Sequence, residues 1–429
     1  MFLAGSRTNL KTLSRWLQKG FWAVSDQGLF ATSNFLLGVL LARWLTPQDY
    51  GAFAMVFAIF LLVSTLHTGL LTEPVLVFGA SKYESRLSEY LGSLLYGHLG
   101  FVVLSSFPLL LVCLGLAISG SRELSMVLLA LVLTGPFILL LWLMRRACYA
   151  RRAPSLAASG GALYMALMLA GAYALYQLEW LSAGSAFGVM GISSLVVGLW
   201  LAVRLRVKLP SFRYDELTRE SLINHWKYGR WTAAVQLLMA CPLSIYYLLL
   251  PVWGGLEDSA SLRALMNLVL PVTMAVVALS YILLPTLVRA RGGIGFDTLV
   301  RLPLTLFVLG ALAYWLFLGL FHEQLVAWLY GGQYAEVAYL LWLLGLVTVG
   351  HAAVAVLSVA LQALERPDHL FWAYALSTMT ALTLGLMMLS VWGVFGAVVG
   401  MLMSEVVAVG TMTYLFVALR ASVRVGKEP

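Results

Sequence analysis

The placement of lysine and arginine constrains this 429-residue chain more than any other feature. Twelve long apolar stretches divide the sequence, and basic residues fall almost entirely in every second gap between them. Of 27 Lys and Arg, 24 lie on one side: Arg7 to Lys19, Lys82 and Arg86, Arg145 to Arg152, seven between Arg204 and Arg230, Arg289 to Arg301, Arg366, and Arg420 to Lys427. Only Arg43, Arg122 and Arg263 lie on the other. Loops rich in Lys and Arg stay in the cytoplasm, so this alternation predicts an all-α membrane protein of twelve transmembrane helices with both termini cytoplasmic.

Composition agrees. With 61% hydrophobic and 11% charged residues and a mean hydropathy of +0.91, the chain lacks the charged surface that water demands. Each apolar stretch approaches or exceeds the roughly 20 helical residues that cross about 30 Å of hydrocarbon, and a helix satisfies its own backbone there. The spans are read at 22–44, 52–76, 90–118, 125–144, 155–177, 183–203, 231–253, 263–287, 302–321, 336–361, 370–391 and 394–418. The first contains Asp26 and Gln27 and has no small-residue cleavage site, so it is expected to be retained as a span rather than removed as a signal peptide.

The longest gap, 204–230, separates six spans from six. The expected organisation is a cytoplasmic or interfacial segment (1–21), an N-lobe (22–203), a cytoplasmic linker (204–230), a C-lobe (231–418) and a cytoplasmic tail (419–429). Six spans per half orient both halves alike, as in parallel repeats about an axis along the membrane normal. The gaps on the outer side are short, leaving no room for the sizeable loop that membrane glycosyltransferases and polymerases generally use. Prolines 108, 136, 242, 271 and 285 lie inside spans and invite bends.

Polar residues inside the spans nominate the candidate site. In the first span Asp26, Gln27, Ser33 and Asn34 fall within an arc of about 120°. In the second, Ser64, His67, Thr68 and Thr72 share a face, followed by Glu73 and Pro74. Asp26 and Glu73 lie at similar depth and are ion-coupling candidates for H⁺ or Na⁺; the alternative for each is an ion pair with a basic residue, Lys82 or Arg86 in the case of Glu73. His67 and His351 read as lone histidines, and Glu405 as a residue paired within its lobe. Arg43 and Arg263 stand where the orientation rule expects no cation, and Arg263 has Asn267 one turn deeper on its face. Such an arginine either holds a phosphate through paired hydrogen bonds or reaches up to the interface as a structural cation.

No GxxxxGK[ST] motif is present, so ATP hydrolysis is not expected. No Ser/His/Asp set, HExxH or CxxC stands out either, and Cys113, Cys148 and Cys241 have no paired spacing. Neither an enzyme, a metal site nor a cofactor is expected, and the basic charge is explained without nucleic acid.

The segment DQGLFATSNFLLGVLLARWLTPQDYGAFA (26–54) resembles the opening of polysaccharide-export proteins, the Wzx-type flippases of the multidrug/oligosaccharidyl-lipid/polysaccharide (MOP) exporter superfamily. The resemblance continues through TEPVLVFG (72–79), HWKYGRW (225–231), LRALMNLVLP (262–271), YGGQYAEVAYLL (330–341), LERPD (364–368) and WGVFGAVVG (392–400). It implies two six-helix lobes, a cavity lined mainly by spans 1, 2, 7 and 8, and alternating access. The implied substrate is an oligosaccharide on a polyprenyl diphosphate, with export or polymerisation machinery as further partners. Within that implied cavity Asn34, His67, Thr68 and Asn267 are binding candidates, and Trp231, Tyr246, Tyr247 and Tyr281 are candidates to stack on sugars. Lys19, Arg230 or Arg289 would meet the diphosphate inside and Arg43 or Arg263 outside. The rivals are an H⁺- or Na⁺-coupled exporter of drug-like cations from the same superfamily, and an intramembrane transferase acting on prenyl carriers.

Overall fold

The computed structural model describes residues 4–209, 216–290 and 295–424, without the side chains of residues 4–17, 19, 20, 243, 277–282, 285, 367 and 422–424. Within them the chain is helical. The helices are α1 (Ala4–Trp44), α2 (Pro47–His67), α3 (Glu73–Gly79), α4 (Leu87–Ile118), α5 (Arg122–Ala150), α6 (Pro154–Gln177) and α7 (Ala183–Arg204), then α8 (Glu216–Trp253), α9 (Leu256–Arg289), α10 (Phe296–Leu320), α11 (His322–Tyr330), α12 (Leu341–Ala363), α13 (Pro367–Thr380) and α14 (Leu386–Arg424). Among the described residues nine helical stretches are long and apolar enough to cross a membrane, or ten if the α8 pieces Glu216–Pro242 and Ser244–Trp253, bent by 41°, are one span. One of the nine, Asp368–Ala421, has 54 residues. A straight helix of that length runs about 80 Å, more than twice the hydrocarbon thickness. It is broken at Gly393, whose φ of 55° and ψ of −130° suit a residue without Cβ.

The chain forms two compact units. Unit 1 comprises residues 1–37 and 60–236, and unit 2 comprises 38–59 and 237–429. Of the expected linker over 204–230, residues 210–215 lie outside the described residues, and the chain is helical from Glu216. The segment 216–236 packs within unit 1. There Gly229 meets the backbone of Leu70 so closely that no side chain fits between them. Unit 1 is centred on α5, which packs on α4 and α7, with α6 on α7. Unit 2 is centred on α12, packed on α9, α10 and α14, with a core of Leu287, Phe296, Val300, Val356 and Ala360.

Proline explains several long-range contacts. A proline inside a helix returns no N–H to the carbonyl four residues back, and in hydrocarbon that carbonyl must find another donor. In unit 1, Pro74 leaves the Leu70 carbonyl unserved, and His225 Nδ1 donates to it at 3.1 Å. In unit 2, Pro242 leaves Leu238, whose carbonyl accepts from Thr378 Oγ1 at 2.9 Å. Pro251 leaves Tyr247, whose carbonyl accepts from Ser259 Oγ at 3.1 Å. Each substitute donor ties a second helix or turn to the break. The Leu70 carbonyl also lies in a π-helical turn, Thr68–Thr72, where α2 passes into α3.

Candidate functional site

In unit 1 the polar face of α1 meets α5. Asp26 is fully buried, and its Oδ1 accepts from Arg145 Nε at 3.1 Å and Nη2 at 2.8 Å. Its Oδ2 accepts from Tyr149 at 2.7 Å and from Gln27 at 3.2 Å. The Arg145 guanidinium also lies 3.9 Å over the ring of Phe30, one turn from Asp26 on the same face. Four donor contacts hold the carboxylate in place. Glu73 is likewise engaged, by Arg146 Nη2 at 3.2 Å, so each carboxylate has its own arginine. Lys82 and Arg86 are engaged elsewhere, with Glu220 and Glu89. Asp26, Thr68, Thr72, Arg145 and Arg146 line a pocket of about 180 Å³. Ser33 and Asn34 do not extend its polar lining, since each bonds back to its own helix, at Leu29 and Phe30.

His67 is not alone. Its Nε2 lies 3.1 Å from His98 Nδ1 and its Nδ1 lies 3.3 Å from Thr72 Oγ1, with both rings buried. His225 has a fixed tautomer: because Nδ1 donates to a carbonyl, the neutral ring's Nε2 accepts from Tyr90, at 2.6 Å. Arg230 and Trp231 are exposed, the guanidinium lying against the indole.

In unit 2 the outer-side arginine of the sequence reading sits among aromatic residues. The Arg263 guanidinium lies 4.6 Å from the ring centre of Phe57 and 6.0 Å from that of Tyr247, beside the Tyr50 and Tyr247 hydroxyls. It is half-buried, and among the described residues it forms no salt bridge. Arg263 Nε, Tyr247 OH, Asn267 Oδ1 and Tyr334 OH are buried without a hydrogen-bond partner among the described residues. Asn267 Nδ2 donates to Tyr50 at 3.0 Å, and the Tyr50 ring lies against Tyr334. The guanidinium and the Tyr247 and Tyr334 hydroxyls can donate to the oxygens of an anion, while Asn267 Oδ1, an acceptor, calls for a donor such as a hydroxyl. Arg43 instead donates to the Trp328 carbonyl at 3.3 Å, and its own carbonyl accepts from Gln333.

Tyr246 lies apart from that cluster. It lines a pocket of about 230 Å³ in unit 2, with His351, Thr378, Ser404 and Glu405. Glu405 Oε1 is 3.6 Å from His351 Nδ1, while Oε2 is buried and unpartnered among the described residues. Arg289 is exposed, and the side chains of Lys19 and Tyr281 lie outside the described residues.

Residues that sequence reasoning missed are Arg145 and Arg146, His98, Tyr50 and Tyr334. The arginines were absorbed by the count of cytoplasmic cations. A twin arginine adjoining an apolar run, with α5 continuing to Ala150, is the signal that points to them. Tyr50 and Tyr334 stand inside two segments, TPQDYGAFA and YGGQYAE, that carried only a resemblance.

No protein-family model and no curated protein matches the chain. Solved structures do. The chain is similar to an inward-facing multidrug-resistance MATE-family transporter of the MOP superfamily, at 16% identity and a TM-score of 0.75, covering 94% of this chain and 99% of that one. It is similar to the lipid II flippase MurJ, in an inward closed conformation, at 13% identity and a TM-score of 0.73, covering 93% and 87%. A MOP superfamily transporter from Pyrococcus furiosus, described by a binding pocket of reverse polarity, is 17% identical, with a TM-score of 0.64 and coverage of 94% and 96%. This multi-span membrane chain therefore has the fold of the MOP-superfamily transporters, which include both drug-exporting and lipid-flipping members.

Proposed function

We propose that this protein is a flippase, carrying an oligosaccharide on a polyprenyl diphosphate from the cytoplasmic to the outer leaflet of a bacterial plasma membrane by alternating access. The glycan would be an exopolysaccharide or O-antigen repeat unit. Twelve spans with both termini on one side follow if α1 is a span, α8 is one bent span and Asp368–Ala421 is two spans meeting at Gly393, and the Lys and Arg distribution supports that side being cytoplasmic. The observation that carries the reading is the Arg263 cluster: a cation with no salt bridge among the described residues, in a group where the Tyr247 and Tyr334 hydroxyls and Asn267 Oδ1 have no hydrogen-bond partner among them either. A diphosphate headgroup supplies acceptors for the arginine, and a sugar supplies hydroxyls for Asn267, Tyr247 and Tyr334.

Physical chemistry supports the direction. Each negative charge moving outward across the full field gains about 2.3 kcal/mol per 100 mV, so the membrane potential alone favours export of a diphosphate. Without shelter, each unsatisfied polar group of the headgroup costs several kcal/mol in hydrocarbon.

The test is the leaflet distribution of lipid-linked glycan in cells lacking this chain, assayed with an impermeant sugar-modifying probe. Complete repeat units trapped on the cytoplasmic face, with the same trapping in Arg263→Gln, are expected. Normal delivery with altered drug sensitivity would overturn the reading in favour of a cation exporter. That second reading draws on the Glu405 pocket, where a carboxylate oxygen has no partner among the described residues and Thr378 and Ser404 share the lining.

A further inference from the structure

Unit 1 contains a buried hydrogen-bonded chain that the glycan site does not use. It runs from Thr72 Oγ1 through His67 Nδ1 and Nε2 to His98 Nδ1, with contacts of 3.3 and 3.1 Å. His67 is 0% and His98 5% exposed, and Phe101 packs edge-on against His67. Thr72, at one end, belongs to the π-helical turn and lines the pocket that holds Asp26 and Arg145.

We propose that His67 and His98 form a binding site for one proton, whose occupancy is reported to the Asp26 pocket by Thr72. Two ring nitrogens at 3.1 Å share one hydrogen between them. In the neutral pair that hydrogen has two directions. If His67 Nε2 carries it, Nδ1 accepts from the Thr72 hydroxyl; if His98 Nδ1 carries it, His67 Nδ1 is the N–H and donates to Thr72. An added proton removes this choice. With the charge on His67 both of its nitrogens donate; with the charge on His98, His67 Nε2 accepts and Nδ1 still donates. In either case the pair gains one proton and one positive charge, Thr72 becomes an acceptor, and its own hydrogen is free to turn into the pocket. A second proton would place two cations in contact and is excluded.

The neighbouring helices carry further ionisable groups, each with partners of its own. From α1 comes Asp26, neutralised by Arg145 of α5; from α3 comes Glu73, neutralised by Arg146 of α5. Tyr149 of α5 donates to Asp26, and His225 of α8 is held by Tyr90 of α4 and the Leu70 carbonyl. An imidazolium sealed from water is costly, so the added charge depends on the acceptor that Thr72 supplies.

The test is a titration of the whole protein, labelled with ¹⁵N-histidine and held in lipid nanodiscs, from about pH 8 down to about pH 3. The expected result is a single step in which the His67 and His98 resonances move together and one proton is taken up. In His98→Gln, which keeps a hydrogen-bonding group on α4, the shared step disappears. In Thr72→Val the step remains but proton affinity falls about tenfold, because the charged pair loses its acceptor. Two independent titrations, or no uptake by either ring, would overturn the site; unchanged affinity in Thr72→Val would overturn the link to the pocket. The titration needs no substrate, so its outcome is separate from that of the glycan-leaflet assay.

Discussion

Arg145 in unit 1 and Arg263 in unit 2 are both withdrawn from water beside an aromatic ring, but their partners differ. Arg145 lies over Phe30 and is locked to Asp26 through two nitrogens, with Tyr149 and Gln27 completing the carboxylate's bonds. Arg263 lies over Phe57 with no carboxylate partner among the described residues, where its Nε, the Tyr247 and Tyr334 hydroxyls and Asn267 Oδ1 are all unpartnered. A buried charge whose partners are all built in is part of the scaffold. One whose partners are polar but incomplete is open to a ligand. The contrast separates a cation that holds helices together from one that can hold an anion.

Breaking the scaffold pair should produce the largest effect. Asp26→Leu leaves Arg145 charged and alone, and a loss of about 3–5 kcal/mol is expected in unfolding measurements in detergent. Asp26→Leu with Arg145→Leu should recover much of that loss, since the cost lies in the orphaned charge rather than in the missing bond. At Arg263 the pattern should invert. Arg263→Gln should change stability by less than about 1 kcal/mol yet reduce outward delivery of the glycan at least about tenfold, and Arg263→Lys should fall between, keeping the charge but not the planar fork. Thr378→Val and Ser259→Ala remove the donors to the Leu238 and Tyr247 carbonyls beside the α8 prolines, and each should cost about 0.5–1.5 kcal/mol. The smallest effect belongs to Lys82→Met. Hydrogen bonding to Glu220 raises the Lys82 pKa above its ordinary value, so the pair's contribution is complete below about pH 10 and is lost as pH rises through the folded value. Being exposed, the pair should shift the melting temperature barely beyond error, and the difference from wild type should vanish in strong base.

The helices themselves were legible because hydrocarbon demands long apolar runs. The boundary read between residues 391 and 394 falls on the Gly393 break. Arg263 was legible too, because a cation on the charge-poor side violates a rule. Arg145 was not, since the same rule expects arginines where it stands and says nothing about which of them turns inward. His98 was hidden inside a span of otherwise apolar character, and nothing in sequence spacing links it to His67. Pro74 was noticed, but not the donor that serves the carbonyl it strands, because His225 lies far along the chain.

Residues 38–59 belong to the second compact unit although they are synthesised before most of the first. Ribosomal synthesis delivers the N-terminal part earlier, and domains generally fold in that order. The surroundings of Tyr50 and Phe57 do not exist until residues from 237 onward have emerged, so this early hairpin must wait in the bilayer for a late partner. A gene split within 210–215 would likewise give two polypeptides, each holding a piece of the other's unit. Neither fragment should mature alone, whereas co-expression should restore the whole.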